Sequence, residues 1–442
     1  MTGGAAQVRA LVIGGGSAGL AVSHELTGRD IEHVLLERGR IGQSWRDRWD
    51  SFCLVTPNWS VQLPGGAYDG SDPDGFMPRD EIVAFLERYA SRSATPVREG
   101  VVVQSLESGP ADGFVAKTSV GDLQARHVVV ATGAYQRPHR PAGSAALPTD
   151  LLQIDLDAYH GPAALPPGNV LIVGSGQSGC QLAEELREAG REVVLACGKA
   201  PWAPRRVGGE DLVWWLEESG FLDDTVDALP SPRARLGANI LATGHGDAHD
   251  LHLRTLQAIG VTLVGHFLGA DGERARFAED LAETVAWGDA RSGDLRQLFR
   301  KTAAKLGLPD PQTPEPSPFD SHAPELVPLD GFGAVIFAGG YRPDYRSWLP
   351  WPAAFDDLGF PIQKDGASTV VDDLYFVGVP FLRNRKSSLL LGVGEDAAVV
   401  AGTIAARVAV LDSYDRALAG TSRNTAAQPA DGTTRSSRIS DR

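Results

Sequence analysis

The sequence predicts an α/β fold built on two strand–helix–strand units of one design. Three observations carry this expectation: a glycine-rich turn between a β-branched strand and a helix near the N-terminus, a second such turn in mid-chain, and a constant spacing between the two copies. In the first copy Leu11-Val-Ile13 runs into Gly14-Gly-Gly16-Ser-Ala-Gly19, a helix follows, and Val34-Leu-Leu-Glu37 closes the unit. In the second, Val170-Leu-Ile-Val173 runs into Gly174-Ser-Gly176-Gln-Ser-Gly179, a helix continues through Leu186, and Val194-Leu-Ala-Cys197 closes it. The offset of 174 − 14 = 160 residues also separates Gly176 from Gly16, Gly179 from Gly19 and Val194 from Val34.

Each glycine has its own physical ground. The first permits the tight turn, the second removes a Cβ so that backbone can approach a pyrophosphate, and the third lets helix and strand pack closely. The pyrophosphate would then sit on free N–H groups at the positive helix end. Ser17 in the first copy, and Gln177 and Ser178 in the second, open the helices and are counted with the glycines as nucleotide ligands. A single such turn is a weak signal. Two in register, each between strand and helix, predict two Rossmann-like dinucleotide-binding domains.

Length and composition agree. A chain of 442 residues exceeds what one core usually serves, and 43% hydrophobic with 22% charged residues reads as globular. The net charge of −15 argues against nucleic acid or an anionic membrane as partner and leaves a small-molecule substrate. No basic, then apolar, leader opens the chain, and no stretch approaches the ~18 apolar residues of a spanning helix, so the expected location is cytoplasmic. Cys53, Cys180 and Cys197 form no C-x-x-C, which excludes a local zinc site or redox disulfide. Buried thiols are expected, with Cys180 the one whose pKa a helix N-terminus could lower.

The register lets the two units be compared position by position. Glu37 ends the second strand of the first unit, where an acid can accept hydrogen bonds from a ribose 2′-OH. Its counterpart is Cys197, followed by Lys199, Arg205 and Arg206. That exchange suits a 2′-phosphate, and so NADPH over NADH, with NADH still possible. The other reading of the three cations is a solvated basic turn.

Between the units lie strand-like runs at Val101-Val-Val103 and His127-Val-Val-Val130, the latter ending in Ala131-Thr-Gly133. After a Pro-rich stretch over 309–328 come Ala334-Val-Ile-Phe337 into Ala338-Gly-Gly340, the run from Leu374 to Pro380, and a helix over about 395–411. From Asp412 onward the composition predicts a disordered tail. His245 and His249, with Asp247 or Asp250, have ligand-like spacing, but flanking glycines read as a loop and no metal is assigned.

On Gly14-Gly-Gly16-Ser-Ala-Gly19, Gly42-Gln-Ser-Trp45-Arg46-Asp-Arg48-Trp49, Leu54-Val-Thr56-Pro57, Ala131-Thr-Gly133, the second glycine turn and Ala338-Gly-Gly340-Tyr341-Arg342-Pro343, the chain resembles the single-component flavin-containing monooxygenases, especially their bacterial relatives. The likeness runs from about Val8 to Leu411. It implies an FAD domain made from 1–160 and 325–411, with an NAD(P)H domain, 161–324, inserted between them. Arg38, Gln43, Ser44, Trp45 and Trp49 would lie along the FAD, Val103 would meet the adenine through its backbone, and Ala131, Gly133 and Gly378 would complete that site. Gly340 would belong to the second nucleotide. A terminal helix opening at Gly392-Val-Gly394 would aim its positive end at the flavin ring.

The implied activity is oxygenation: NADPH reduces FAD, the reduced flavin and O2 form a C4a-(hydro)peroxide, and one oxygen atom goes to a nitrogen, a sulfur or a carbonyl compound. Asn58 and Tyr159 are the candidates for direct catalytic roles. The family's F-x-G-x-x-x-H-x-x-x-Y segment would place its Phe, Gly and His at Thr149, Leu151 and Asp155 and keeps only Tyr159, while the family Asn falls one position late, at Asn58. An NAD(P)H-dependent flavin reductase or oxidase is therefore the alternative enzyme, and a flavin-binding sensor the alternative outside enzymes. A homodimer is compatible with the sequence.

Overall fold

The computed structural model describes residues 6–246 and 248–425. Its framework consists of β1 (Ala6–Ile13), α1 (Ser17–Thr27), β2 (His33–Leu36), β3 (Gly121–Val130), β4 (Leu152–Asp155), β5 (Asn169–Val173), α2 (Gln177–Glu188), β6 (Val193–Ala196), β7 (Thr262–Val264), β8 (Phe332–Phe337), β9 (Leu374–Phe376) and α3 (Val393–Thr425). Runs of Val, Ile and Leu buried on both faces make the central strands β1, β2, β5, β6 and β8, as parallel sheets covered by helices require, whereas the edge strand β4 is half-exposed.

A nine-stranded sheet holds β9, β3, β1 and β2 side by side, and a five-stranded sheet runs β4-β8-β5-β6-β7, parallel throughout. The two share their central register. Ala10 pairs with His33 as Val170 pairs with Val193, which is the offset of 160 again. The duplication also has a third member: β3 flanks β1, with Val130 opposite Ile13, and β8 flanks β5, with Phe337 opposite Val173. That strand is displaced by 337 − 130 = 207 residues, because a longer connection intervenes in the second unit.

Sheet membership departs from the division expected at 160 and 325. Both β4 and β8 belong to the smaller sheet, where Leu152–Asp155 pairs in parallel with Ala334–Phe337. The chain therefore crosses before Leu152 and after Phe337. A short antiparallel ribbon, Arg137–Pro138 against Tyr341–Arg342, joins the two crossings.

The last helix is longer than expected. It runs Val393–Thr425, so residues 412–425 are helical where a disordered tail was expected; 426–442 lie outside the described residues. An Arg9–Asp412 pair at 2.9 Å meets the helix near the point where the expected element ended. Contrary to the sequence expectation, its Val393–Tyr414 portion is long and apolar enough to cross a membrane, at a mean hydropathy of 1.4. The apolarity has a local use: Val393, Ala397, Val400, Ala401, Ile404 and Val408 form a buried stripe in one core with α1. Asp373, beside β9, fastens the helix. Its carboxylate lies 2.9 Å from Arg407 of α3, 3.0 Å from Arg126 and 3.2 Å from His127 of β3. Burial alone would raise this carboxyl, but His127, Arg407 and Arg126 outweigh it and hold it below the usual range.

Asp396, in the first turn of α3, is the opposite case. Burial pushes its carboxyl up to about 6, against the pull of Ser387 and of Arg383 at 3.3 Å. A folded value above the unfolded ~3.9 means that ionisation costs the folded state, so its contribution falls as pH rises from about 4 through about 6. Asp396→Asn is expected to raise the melting temperature increasingly from pH 5 to pH 7, by up to about 3 kcal/mol of stability. A gain of the same size at every pH in thermal unfolding would contradict this origin.

Candidate functional site

Both glycine turns sit at the C-terminal ends of parallel strands, where α1 and α2 begin. What each glycine is for can be read from the atoms a Cβ would meet. At Gly14 (φ 111°) it would lie 2.7 Å from the Ala131 carbonyl oxygen, and at Gly19 1.9 Å from the Gly14 oxygen. Gly174 (φ 112°) and Gly179 repeat this, at 2.6 Å from the Ala338 oxygen and 1.9 Å from the Gly174 oxygen. Packing within the protein thus demands the first and third glycines. The second is different. A Cβ on Gly16 would meet nothing within 4 Å, one on Gly176 only Ala238 Cβ at 3.7 Å, and both residues have ordinary negative φ. No atom of the described residues requires glycine there, whereas a group seated on the helix N-terminus would.

The first cradle carries its acid. Glu37 is buried, and its two carboxylate oxygens accept from the backbone N–H groups of Gly15 at 2.6 Å and Gly39 at 2.8 Å. Each oxygen keeps a second lone pair for a ribose hydroxyl. The run from Gly42 lies against the same turn, since Gly42 N–H donates to the Gly15 oxygen at 3.0 Å. Gln43 bonds Arg40 N and Asp47, Ser44 and Arg38 are exposed, Ser17 is half-buried, and Trp45 packs on the core beside Phe52. Gly133 accepts from the Tyr345 hydroxyl at 2.7 Å, and Gly378 comes so close to Ala18 that a Cβ would sit 2.7 Å away. Val103 opens the Val103–Ser108 strand on the extension of this sheet. These residues could hold an FAD: open space over a helix end, with an acid at the ribose position.

The second cradle is built differently at its rim. Gln177 clasps Ala242, its side chain bonding both the backbone N–H and the carbonyl, and Ser178 is half-exposed in the same first turn. Gly340 accepts from His139 N–H at 2.9 Å. Where Glu37 stands in the first unit, Cys197 is buried and its thiol is pushed up to about 12, first by burial. The Ser175 hydroxyl closes the strand end instead, bonding the N–H and carbonyl of Gly198 at 2.9 and 3.0 Å. Lys199 is exposed just beyond. Arg205 is not a reader of phosphate: it is 2% exposed, paired with Asp211 at 2.9 Å, bonded to the Val55 carbonyl and stacked on Phe76. Arg206 is exposed in a separate ribbon. The side chain that sequence reasoning missed is His266, whose Nε2 would lie 3.5 Å from a Cβ on Gly198 and whose Nδ1 pairs with Asp280 at 2.6 Å. β7 brings it there by pairing Val264 with Ala196, a contact between segments far apart in sequence.

Several other candidates are committed to structure. Asn58 is 4% exposed, and its amide both donates to the Asp72 carbonyl at 2.9 Å and accepts from Met77 N–H at 2.7 Å. Tyr159 is wholly buried, with its hydroxyl on Glu185 at 3.0 Å, so neither is placed as a free acid, base or donor. Trp49 is 3% exposed in the core of the smaller sheet, edge-on to Phe52, and so plugs protein instead of lining an open groove. Cys180 is raised well above the ordinary thiol range, first by burial, and is not the lowered thiol that its place at a helix N-terminus suggested. His249 docks on Glu184 of α2 at 2.6 Å and His245 on Glu188 at 3.7 Å, beside a cleft of about 520 Å³ some two turns along α2 from the cradle. Asp247 lies outside the described residues, and no group of three or more metal-ligating side chains occurs among them.

Comparison with known proteins fits this geometry. Residues 11–217 match the model of the pyridine nucleotide-disulphide oxidoreductase family. A CzcO-like oxidoreductase of Geobacillus kaustophilus is 32% identical over 392 residues, covering 88% of this chain and 96% of that protein. The indole-3-pyruvate monooxygenase YUCCA4 of Oryza sativa is 26% identical over 409 residues, 84% of this chain and 82% of its own. Among solved structures, a flavin-containing monooxygenase from Stenotrophomonas maltophilia superposes with a TM-score of 0.64 at 19% identity, covering 91% and 99% of the two chains, and so shares the fold.

The two kinds of glycine are expected to separate on mutation. Gly19→Ala or Gly179→Ala forces a Cβ onto backbone and should lower the melting temperature or prevent folding. Gly16→Val should melt within a few degrees of the wild type while purifying without FAD. A Gly16→Val protein with full flavin content would reduce the first turn to a structural device.

Proposed function

This chain belongs to the CzcO-like oxidoreductases, and from that membership we propose that it is an FAD-dependent, NADPH-using monooxygenase of a small organic molecule. The observation that carries the reading is the pair of cradles whose second glycines face open space on helix N-termini. The likeness to a protein named indole-3-pyruvate monooxygenase and the fold shared with a flavin-containing monooxygenase favour oxygen transfer as the outcome. A sensor without turnover is set aside by membership in an oxidoreductase family.

FAD takes the first cradle, held through Gly14, Gly16, Gly19 and Glu37, and supplies hydride acceptance and reaction with O2. NADPH takes the second, held through Gly174, Gly176 and Gly179, with Lys199 and His266 meeting the 2′-phosphate in place of an acid. The chain supplies orientation: the carbonyls of Ala131 and Ala338 set how closely each turn approaches its neighbouring strand. Asn58 and Tyr159, spent on structural hydrogen bonds, have no proton to move in this reading. A substrate oxidised by the flavin itself needs few protein acids or bases. An NADPH-using enzyme of this kind fits a cytoplasmic location.

One observation favours the reductase or oxidase alternative. Asp155 stands where the family's histidine would, and it is held in a two-bond pair with Arg140 at 2.7 and 2.9 Å, on a strand of the smaller sheet. Rapid mixing of reduced enzyme with O2 distinguishes the two. A monooxygenase is expected to show an absorbance transient before the oxidised spectrum, and less H2O2 when its substrate is present. Direct return to oxidised flavin, with stoichiometric H2O2 across amines, sulfides and ketones, would leave only the oxidase or reductase.

Cofactor preference supplies a further test. Lys199→Ala should raise the KM for NADPH by about tenfold or more, the loss of a charge-assisted bond, and leave that for NADH nearly unchanged. Arg205→Ala should instead lose about 3 to 5 kcal/mol of stability, because Asp211 is left buried and unpaired. Equal shifts for both nucleotides with Lys199→Ala would remove it from the 2′-phosphate site.

A further inference from the structure

We infer that Arg137, Arg233 and Arg342 form an oxyanion site at the joint between the two sheets, holding the phosphate or the carboxylate of a bound small molecule. The two-stranded ribbon at the joint pairs Arg137 directly with Arg342. Like charges opposite one another in a ladder destabilise it, so the fold carries a cost at this point. Arg233, on the turn Pro232–Leu236, adds a third cation within electrostatic range.

The chain carries a net charge of −15, and nearby Arg140 and Arg235 are paired with Asp155 and Asp356. Arg137, Arg233 and Arg342 have no carboxylate partner among the described residues, and the Arg342 guanidinium donates to the Tyr341 carbonyl at 2.9 Å. Burial, then Arg233 and Arg137, push Arg342 down from its ordinary value. Burial, then Arg342, Arg137 and Arg233, do the same to His139, the residue after the ribbon strand.

The position suits a ligand of the reaction centre. The ribbon begins just past Ala131-Thr-Gly133 on one side and Ala338-Gly-Gly340 on the other, the turns that end the third strand of each unit. Arg342 follows Gly340 by two positions, and the Arg233 turn leads into Ala238, whose Cβ is the atom nearest the open face of Gly176. Guanidinium groups opposed across a ribbon, with a third cation in electrostatic range, suit a phosphate or carboxylate through bidentate bonds. Only the identity of the oxyanion depends on the proposed function: a phosphate would come from the pyridine nucleotide, a carboxylate from the organic substrate.

The test uses the full-length, flavin-loaded protein and two probes, NADP+ and benzoate, each titrated against the flavin spectrum. For the double variant Arg137→Gln/Arg342→Gln, and separately for Arg233→Gln, at least one probe should bind about tenfold or more weakly. Arg342→Lys should recover part of the loss, and the melting temperature should stay level or rise, because repulsion has been removed. Loss for NADP+ identifies the phosphate, and loss for benzoate the carboxylate. Affinities within twofold of wild type for both probes, or a loss that comes with a lower melting temperature and no recovery by lysine, would overturn the site. Gly176→Val run alongside reads the second cradle independently: unaltered NADP+ binding there would fail the proposed cofactor site, while the arginine comparison still decides this one.

Discussion

Much of this molecule depends on the close approach of a glycine turn to a neighbouring strand. The Ala131 and Ala338 carbonyls leave no room for a Cβ on Gly14 or Gly174, and Gly19 and Gly179 are pressed against those same turns. This contact fixes where each helix begins relative to its sheet. It therefore also fixes where the helix N-terminal N–H groups point, which is the property a dinucleotide site needs. The glycine between the two packed ones is then left facing space, and the distinction between packing and function can be drawn residue by residue.

The two units reach the same backbone solution and differ at the rim. In the first, a buried carboxylate spans two backbone N–H groups. In the second, a serine hydroxyl from the turn takes over the strand end, a buried thiol replaces the acid, and a lysine and a histidine stand outside. Identical turns thus carry different rims, one with a buried acid and one without.

Buried polar groups explain which candidates drop out. A buried guanidinium must find a carboxylate, and Arg205 finds Asp211. A buried amide must satisfy both ends, and Asn58 does so on backbone. Polar side chains that are fully satisfied by the protein are poorly placed to serve a ligand as well. Arg137 and Arg342, opposed across a ribbon with no carboxylate partner among the described residues, are the reverse case.

The sequence by itself determined the fold class, the two glycine turns and the acid that one has and the other lacks, because these rest on short-range rules: turn geometry, strand burial and a constant offset between copies. A strand-like run from Leu374 and a closing helix were legible as elements, and they stand in the larger sheet and its core as β9 and α3. Only tertiary structure decided the rest. The third strand of each unit is displaced by unequal connections, so its equivalence becomes visible through pairing alone. His266 reaches Gly198 through a parallel strand pair, which brings together residues with no periodic relation in sequence. Whether Arg205, Asn58, Tyr159 and Trp49 face a ligand or a core was equally closed to sequence reasoning. Burial is a property of what packs against a residue, and those partners come from distant parts of the chain.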